Sequence, residues 1–315
     1  MSQHFLLTAK ARTLSLKAIF RMSDDEAHAT FKAIRWADNG GEPFCPRCDS
    51  TAIYSYASRP IWKCKECRHQ FSVTSGTIFA NRKLPIRDYL AVIAIFVNAV
   101  KGISALQLGR DLDVQYKTAF VLAHKLREAI GAVQTKAQVG GVVEIDGAYF
   151  GGHSKPENRK ADRKDLRLEV PAKRQSVVVI RERQGRTLSF VVAKEAHGAH
   201  IARSIIPTGS TVHADEAHGW DRLHAFFDMK RVNHSIGYSL DGACTNQAES
   251  YFSRLRRAEW GQHHHISGKY LAAYATEMAW REDFRRQSNG ALHEMATSAA
   301  LAHPVSRQWA GYWQR

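Results

Sequence analysis

Four cysteines in two close pairs are the strongest constraint on how this chain can fold. Cys45-Pro-Arg-Cys48 is followed, after fifteen residues, by Cys64-Lys-Glu-Cys67. The spacing C-x2-C-x15-C-x2-C is that of a structural zinc site, in which each pair bends into a tight knuckle and two facing hairpins present four thiolates tetrahedrally. Ile53–Tyr56 and Pro60–Lys63 between the pairs, and Gln70–Val73 after them, read as strands. Residues 44–80 are therefore predicted to form a zinc ribbon. A module of about thirty residues cannot build its own core, and bound Zn2+ would supply folding free energy on the order of 10 kcal/mol. The other use of such pairs is a redox dithiol, but in a reducing cytoplasm metal ligation is the first reading.

Charge narrows the partners. The 315 residues carry 45 Lys and Arg against 30 Asp and Glu, a formal net charge of +15, with a pI near 9.7. A balance of that sign and size points to a polyanion, and nucleic acid is the usual one. A basic enzyme without such a partner is the plainer alternative. The longest apolar stretch, Tyr89 to Val100, ends at Lys101 and falls short of the roughly 18 residues that a membrane span needs. The basic N-terminus lacks the sustained apolar core of a secretory signal, so the expected location is the cytoplasm.

Around the ribbon the signals are helical. In the first 43 residues, Ser23-x-x-Glu26 has the form of a capping box and opens a helix that runs to about Trp36, where Asn39-Gly40-Gly41 stops it. Within residues 84–132, a helix from Pro85 through Val100 is apolar around most of its surface. Ser104 then caps a short helix over Ala105 to Arg110, and a third spans about Gln115 to Ile130 with Ala119, Leu122, Ala123 and Leu126 facing inward. Two short helices joined by a brief turn suit a helix-turn-helix, with Gln115, Tyr116, Lys117, His124, Lys125 and Arg127 offered to DNA. A plain helical linker bundle is the competing reading.

Residues 141–287 change to an α/β pattern. Strand signals cover Val142 to Phe150, Gln175 to Glu182 and Arg186 to Lys194, the last two joined by a Gln184-Gly185 turn. Between the first two lies a polar insert, 153–174, with eight basic residues, Lys160, Arg163 and Lys164 among them, against four acids. It suits tracking of phosphates, or is simply a solvated loop. A helix from Ala199 to Ile206, a strand from Ser210 to Asp215, a helix from Gly219 to Phe227 and a strand from Lys230 to His234 follow, with helices closing the series. The order β-β-β-α-β-α-β is that of an RNase H-like fold.

Three acids stand out in this part. Asp146 interrupts an apolar run, where a carboxylate is costly to bury without a cation or hydrogen-bond partner. Asp215 sits at the carboxyl end of its strand, where sites collect in open α/β sheets. Glu249 lies in Thr245–Arg257, where Asn246, Glu249 and Arg256 share a helix face. Asn246 with Glu249 is also a capping-box pattern, and both readings can hold at once. Three carboxylates on adjacent strands and a helix repel unless divalent cations sit among them, and hard oxygen ligands select Mg2+ or Mn2+. Two such ions suit in-line attack on a phosphodiester.

In combination and order, the stretches WADNGGEPFCPRC, WKCKECRHQFSVTSGTIF, EIDGAYFGG, VHADEAHGW and TNQAESYFSRLRRAEWGQHHHIS make the chain resemble a DDE-type insertion-sequence transposase, of the bacterial group related to Merlin elements, over residues 20 to 285. The resemblance implies cleavage and joining of double-stranded DNA at element ends and at a target, with a homo-oligomer assembled on the DNA. It makes Asp146 and Asp215 the first two catalytic acids and Glu249 the third. Asn246 is the runner-up ligand, since members vary between Glu and Asn there. Arg256, with Arg257 beside it, replaces the lysine common seven places after the acid and turns a point cation into a planar fork. His263-His264-His265 matches a family histidine pair and reads as a loop by the DNA or beneath the site. A helix from Gly268 to Arg286 is expected to cover the sheet, its basic end (Arg281, Arg285, Arg286) facing solvent or DNA. Cys244 reads as a buried small residue, and the tail 288–315 is left unassigned. The opposing hypotheses are a DNA-binding regulator whose RNase H-like domain is inert and a nuclease or resolvase without joining activity.

Overall fold

In the computed structural model the described residues are 4–151, 159, 162, 174–233 and 242–314. The chain divides into two compact units, Met1–Val133 with Phe284–Arg315, and Gln134–Asp283.

The first unit begins with α1 (Leu16–Arg21) and α2 (Asp24–Arg35). The capping box forms as its residues predict: Glu26 N donates to Ser23 Oγ at 3.2 Å, and Ser23 N to the Glu26 carboxylate at 2.7 Å. Gly40, at φ +63°, ends the following turn. The ribbon is a three-stranded antiparallel sheet of β1 (Ile53–Ser55), β2 (Ile61–Cys64) and β3 (Gln70–Ser72). Its missing core comes from α2. Trp62 of β2 packs edge-on against Trp36 with ring centroids 5.4 Å apart, and also meets His28 and Phe71. Arg35 donates to the carbonyls of Ser72 and Ser75 at 3.0 and 2.6 Å. The four cysteine sulfurs lie within 4.8 Å of one another, with Cys45–Cys67 at 3.5 Å and Cys48–Cys64 at 3.6 Å. A Zn–S length of about 2.3 Å implies sulfur separations of roughly 3.8 Å in a tetrahedron. The donor set therefore fits zinc. Burial and hydrogen bonding also differ among the four: the Cys64 thiol, facing the Cys67 N–H, is brought down to about 7.

Three further helices follow: α3 (Ile86–Asn98), mostly buried, α4 (Ala105–Asp111), capped by Ser104, and α5 (Tyr116–Gln134). The turn between α4 and α5 closes tightly over Gly109, where a Cβ would lie 3.0 Å from the Val114 carbonyl. Ala119, Leu122, Ala123 and Leu126 face inward as predicted. Two residues offered to DNA do not reach the surface. Arg127 is only 2% exposed, its guanidinium over the Phe96 ring at 5.9 Å and 3.5 Å from the Ile103 carbonyl. His124 is buried between Phe120 and Trp309, each ring 4.4 Å away. The cause is helical period: Arg127 lies one turn beyond buried Ala123 and so shares the inner face. Lys117 is exposed over the Trp313 ring, and Lys125 is half-buried, which lowers its pKa.

The tail left unassigned is a helix, α9 (Asn289–Ala302), capped by Ser288 and packed on α3. Its inward residues include Ala296, Ala300 and Leu301. His293 meets the Leu90 carbonyl at 3.1 Å, and the Asn289 amide binds the backbone of Thr13 and Leu14 three times, each at 2.9 Å.

The second unit is built on β4 (Val142–Phe150), β5 (Gln175–Glu182), β6 (Thr187–Val192), α6 (His197–Ile205), β7 (Thr211–Asp215), β8 (Asp228–Val232), α7 (Asn246–Ala258) and α8 (Leu271–Asp283). The strand order is β6-β5-β4-β7-β8, with β4, β5 and β6 antiparallel and β4, β7 and β8 parallel. This is the RNase H-like mixed sheet. Alternate residues separate its two faces. Val178 and Ile180 of β5 join Val143, Ile145, Ala202 and Trp220 on one side, while Val177 and Val179 join Ala148, Phe150, Tyr251, Leu255 and Met278 on the α7–α8 side. Residues 218–225 form a 3-10 rather than an α-helix, and β8 begins two residues earlier than predicted. Helix α8 does not present Arg281 outward. Its side chain pairs with Glu277 one turn back, at 2.9 Å, and both are buried.

Removing residues 289–315 takes away the surface on which α3 rests. In the truncated protein the α3 amides should lose hydrogen-exchange protection by at least a hundred-fold, while those of β4 and β5 keep theirs.

Candidate active site

The site grows from the alternation of β4. Its even-numbered residues, Glu144, Asp146, Ala148 and Phe150, share a face with the α7–α8 layer. Asp146 stands inside the strand, opposite Val179 of β5, and Gly147 opposite Val178. Neither belongs to a turn; both stand within the ladder of β4 and β5. In the parallel pair, Glu144 lies beside His213 of β7, and two residues further that register brings Asp146 alongside Asp215. Arg231 of β8 holds the end of β7: it donates to the Asp215 carbonyl at 2.6 Å and to the Ala217 carbonyl at 2.9 Å. The Asp215 carboxylate accepts from Ala217 N at 3.2 Å.

A third acid arrives from a place the sequence reading did not consider. Glu195, between β6 and α6, offers a carboxylate oxygen that lies with those of Asp146 and Asp215 within 4.8 Å. Its side chain crosses directly over Gly147, where an added Cβ would sit 2.5 Å from Glu195 Oε1 and 2.6 Å from Cδ and Cγ. Glycine is required there for close approach of a side chain. The available signal was an acid just past a predicted strand end, in Lys194-Glu195-Ala196-His197.

Glu144 was likewise overlooked. Fully buried, it pairs with Arg183 at 3.0 Å and accepts from Gln247 N at 2.8 Å and Ala248 N at 3.1 Å, the open amides of the first turn of α7. It does the work expected of a capping residue in the helix itself. The N-cap of α7 is Thr245, which makes no side-chain cap, and the Asn246/Glu249 capping box does not form. Cys244 is half-buried with Arg183 Nη2 2.6 Å from its sulfur.

So anchored, α7 faces Asp146 across a cavity of about 450 Å3. Glu249, Arg256 and Arg257 line it together with Asp146 and Gly147. Thr245 Oγ1 donates to Glu249 at 3.3 Å. Asn246 is exposed at the first turn and is not part of that lining. The Glu259–His263 segment beyond α7 makes a π-helical turn, and His263 packs edge-on against Tyr274. Among the described residues the three histidines form no ligand group; those of three or more are the four cysteines and the Asp146, Glu195, Asp215 trio. Lys160, Arg163 and Lys164 lie outside the described residues.

Electrostatics shows what the trio lacks. Burial pushes the Asp146 carboxyl up to about 7, against the pull of the Gly147 N–H at 2.7 Å, and the charges of Asp215, Glu195 and Glu249 push it further the same way. Glu195 is raised too, by burial and then by Asp215. Two carboxyls so raised, with a third beside them, make a half-buried cluster of oxygen donors short of positive charge, which suits a hard divalent cation.

The chain matches the family model of the ISXO2-like transposase domain over residues 138–283 and that of the transposase zinc-ribbon domain over residues 22–70, together more than half of its length. It is also similar to an uncharacterized protein in transposable element ISH50 of Halobacterium salinarum, 25% identical over 295 residues that cover 88% of this chain and 97% of that protein.

Without metal, folded Asp146 keeps its proton to about pH 7, whereas its ordinary value is 3.8. Stability contributed by this group therefore falls as pH rises from about 4 to about 7 and stays low above that. Bound Mn2+ should raise the melting temperature more at pH 8 than at pH 6. Asp146→Asn should raise the metal-free melting temperature by on the order of 5 °C at pH 8 and abolish the Mn2+ response. A full Mn2+ response in that variant would show that the ion binds elsewhere.

Proposed function

We propose that this chain, which belongs to the insertion-sequence transposases that join a zinc ribbon to an RNase H-like domain, binds the ends of its element as double-stranded DNA and cuts and rejoins strands there by two-metal-ion chemistry. The observation that carries the reading is the convergence of Asp215 and Glu195 on Asp146, which itself lines the cavity that Glu249, Arg256 and Arg257 line from α7.

Asp146, Asp215 and Glu195 would hold one Mg2+ or Mn2+, and Asp146 with Glu249 a second. When bound, such ions lower the pKa of an attacking water or 3′-hydroxyl and offset charge on the leaving oxygen. The protein's own groups do the rest. Arg231 and the Ala217 N–H fix the direction of Asp215, and Glu144 fixes the start of α7 and with it the height of Glu249. Arg256 and Arg257, both exposed on the cavity wall, bind phosphates beside the cut. Lys117, at the start of α5, and the half-buried Lys125 belong to the helices offered to the DNA grooves; Lys160, Arg163 and Lys164 of the basic insert would follow its backbone. Zn2+ on Cys45, Cys48, Cys64 and Cys67 would keep the ribbon folded against α2. Strand joining at two ends calls for more than one copy, assembled on the DNA.

Supplied with a marked element, Asp146→Ala and Asp215→Ala should lower excision and integration at least a hundred-fold while gel shifts show DNA still bound. Glu195→Gln and Glu249→Gln should each cost more than ten-fold, and Asn246→Ala little. Wild-type transposition by the two aspartate variants would instead favour an inert domain serving a DNA-binding regulator. Cys64→Ser with Cys67→Ser should release zinc from the purified protein, read by atomic emission, and open the 44–80 segment to protease; retention of one zinc per chain would refute the ribbon's ligand set.

A further inference from the structure

One residue of the cavity wall has no place in the chemistry above. Trp260 is 70% exposed, and among the described residues no ring stacks on it. An indole left in water forgoes the burial that drives most tryptophans inward. Its position is nonetheless fixed. It follows buried Ala258 and Glu259 in the π-helical turn Glu259–His263. The Glu259 N–H is shared by the Leu255 and Arg256 carbonyls, and the far end of the turn is held by His263 against Tyr274 and by buried Ile266. Single π-turns of this kind re-aim side chains and are frequent at functional sites. Here the ring is directed onto the same cavity as Asp146 and Glu249, beside Arg256 and Arg257.

Resting on the proposed function, we propose that Trp260 is a stacking platform for a nucleobase lifted out of the DNA helix next to the strand being cut. The chemistry of the wall selects that occupant. Paired guanidinium groups take phosphates, and a flat exposed aromatic takes a base face; together they make up a site for single-stranded nucleic acid. In an intact duplex both faces of an internal base are already covered by its neighbours. An indole gains a base face only when the base is unstacked. The structure therefore assigns to this site DNA that is splayed near the acids.

The test uses full-length, zinc-loaded protein and two probes in Ca2+ buffer at low salt: a 20-base-pair blunt duplex, and the same duplex with a five-nucleotide 3′ extension carrying 2-aminopurine. Wild type should bind the tailed probe about ten-fold more tightly and quench its fluorescence. Trp260→Ala should lose the preference and the quenching with blunt-duplex affinity unchanged, and Trp260→Tyr should keep most of both. Equal affinities of wild type and Trp260→Ala for the tailed probe, or equal losses on both probes, would overturn the stacking role. So would a Trp260→Ala change confined to self-association in sedimentation, which would make a second copy the occupant. Failure of the transposase reading itself looks different: Asp146→Ala and Asp215→Ala would handle a marked element like wild type, whatever the two probes show.

Discussion

The arrangement of this site depends on one buried carboxylate. Glu144 reaches from β4 to the first free amides of α7 and is neutralised by Arg183. A carboxylate at a helix N-terminus is favoured by both the open N–H groups and the helix dipole, and burial strengthens that contact. Taking one partner away from such a pair leaves an uncompensated charge inside the protein, typically at a cost of about 3–5 kcal/mol. Because α7 carries Glu249, Arg256, Arg257 and, just past its end, Trp260, the tie at one end of the helix sets the whole far wall of the cavity. The same strand face gives Asp146 two residues later and the apolar pair Ala148 and Phe150 after that. One alternating strand thus anchors the helix, supplies an acid and packs the core.

That economy has a local cost. Asp146, Asp215 and Glu195 are brought together by backbone register and by the glycine beneath Glu195, and their charges oppose one another. The fold tolerates this because the sheet around them is well packed: Val143, Ile145, Val177 and Val179 are fully buried on its two faces. A site whose acids repel until a cation arrives stores part of its binding free energy in the metal-free fold.

The parts legible in sequence were those decided locally. The Ser23–Glu26 capping box, the cysteine spacing, and the bounds of β4 and β5 all follow from residues a few positions apart. Asp146 and Asp215 were visible because carboxylates in or at the end of apolar strands are unusual, and Glu249 because it shares a helix face with Arg256. What escaped depended on distant approach. Glu195 becomes part of the trio only because the chain passes over Gly147, and Glu144 becomes a cap only because α7 starts beside β4. Burial of His124 and Arg127 reflects what packs on α5, Trp309 and Phe96, which helical charge counting does not see. Helix α9 escaped because its apolar positions are largely alanines, a composition with no marked stripe.

Helix geometry then limits how the wall meets DNA. Glu249 and Arg256 are seven residues apart, about 10.5 Å along α7 at 1.5 Å per residue. Successive phosphates of one strand advance about 3.4 Å along a B-form axis, so a strand lying along α7 would place the arginine roughly three nucleotide steps from the acid. On the proposed reading, Arg256 and Arg257 therefore hold phosphates that flank the scissile one, and Trp260 follows them on the same cavity wall. Cations at this end also complement the negative pole of α7, whose positive pole is already matched by Glu144. A single helix, tied at its start and charged at its end, spaces the cut from the grip.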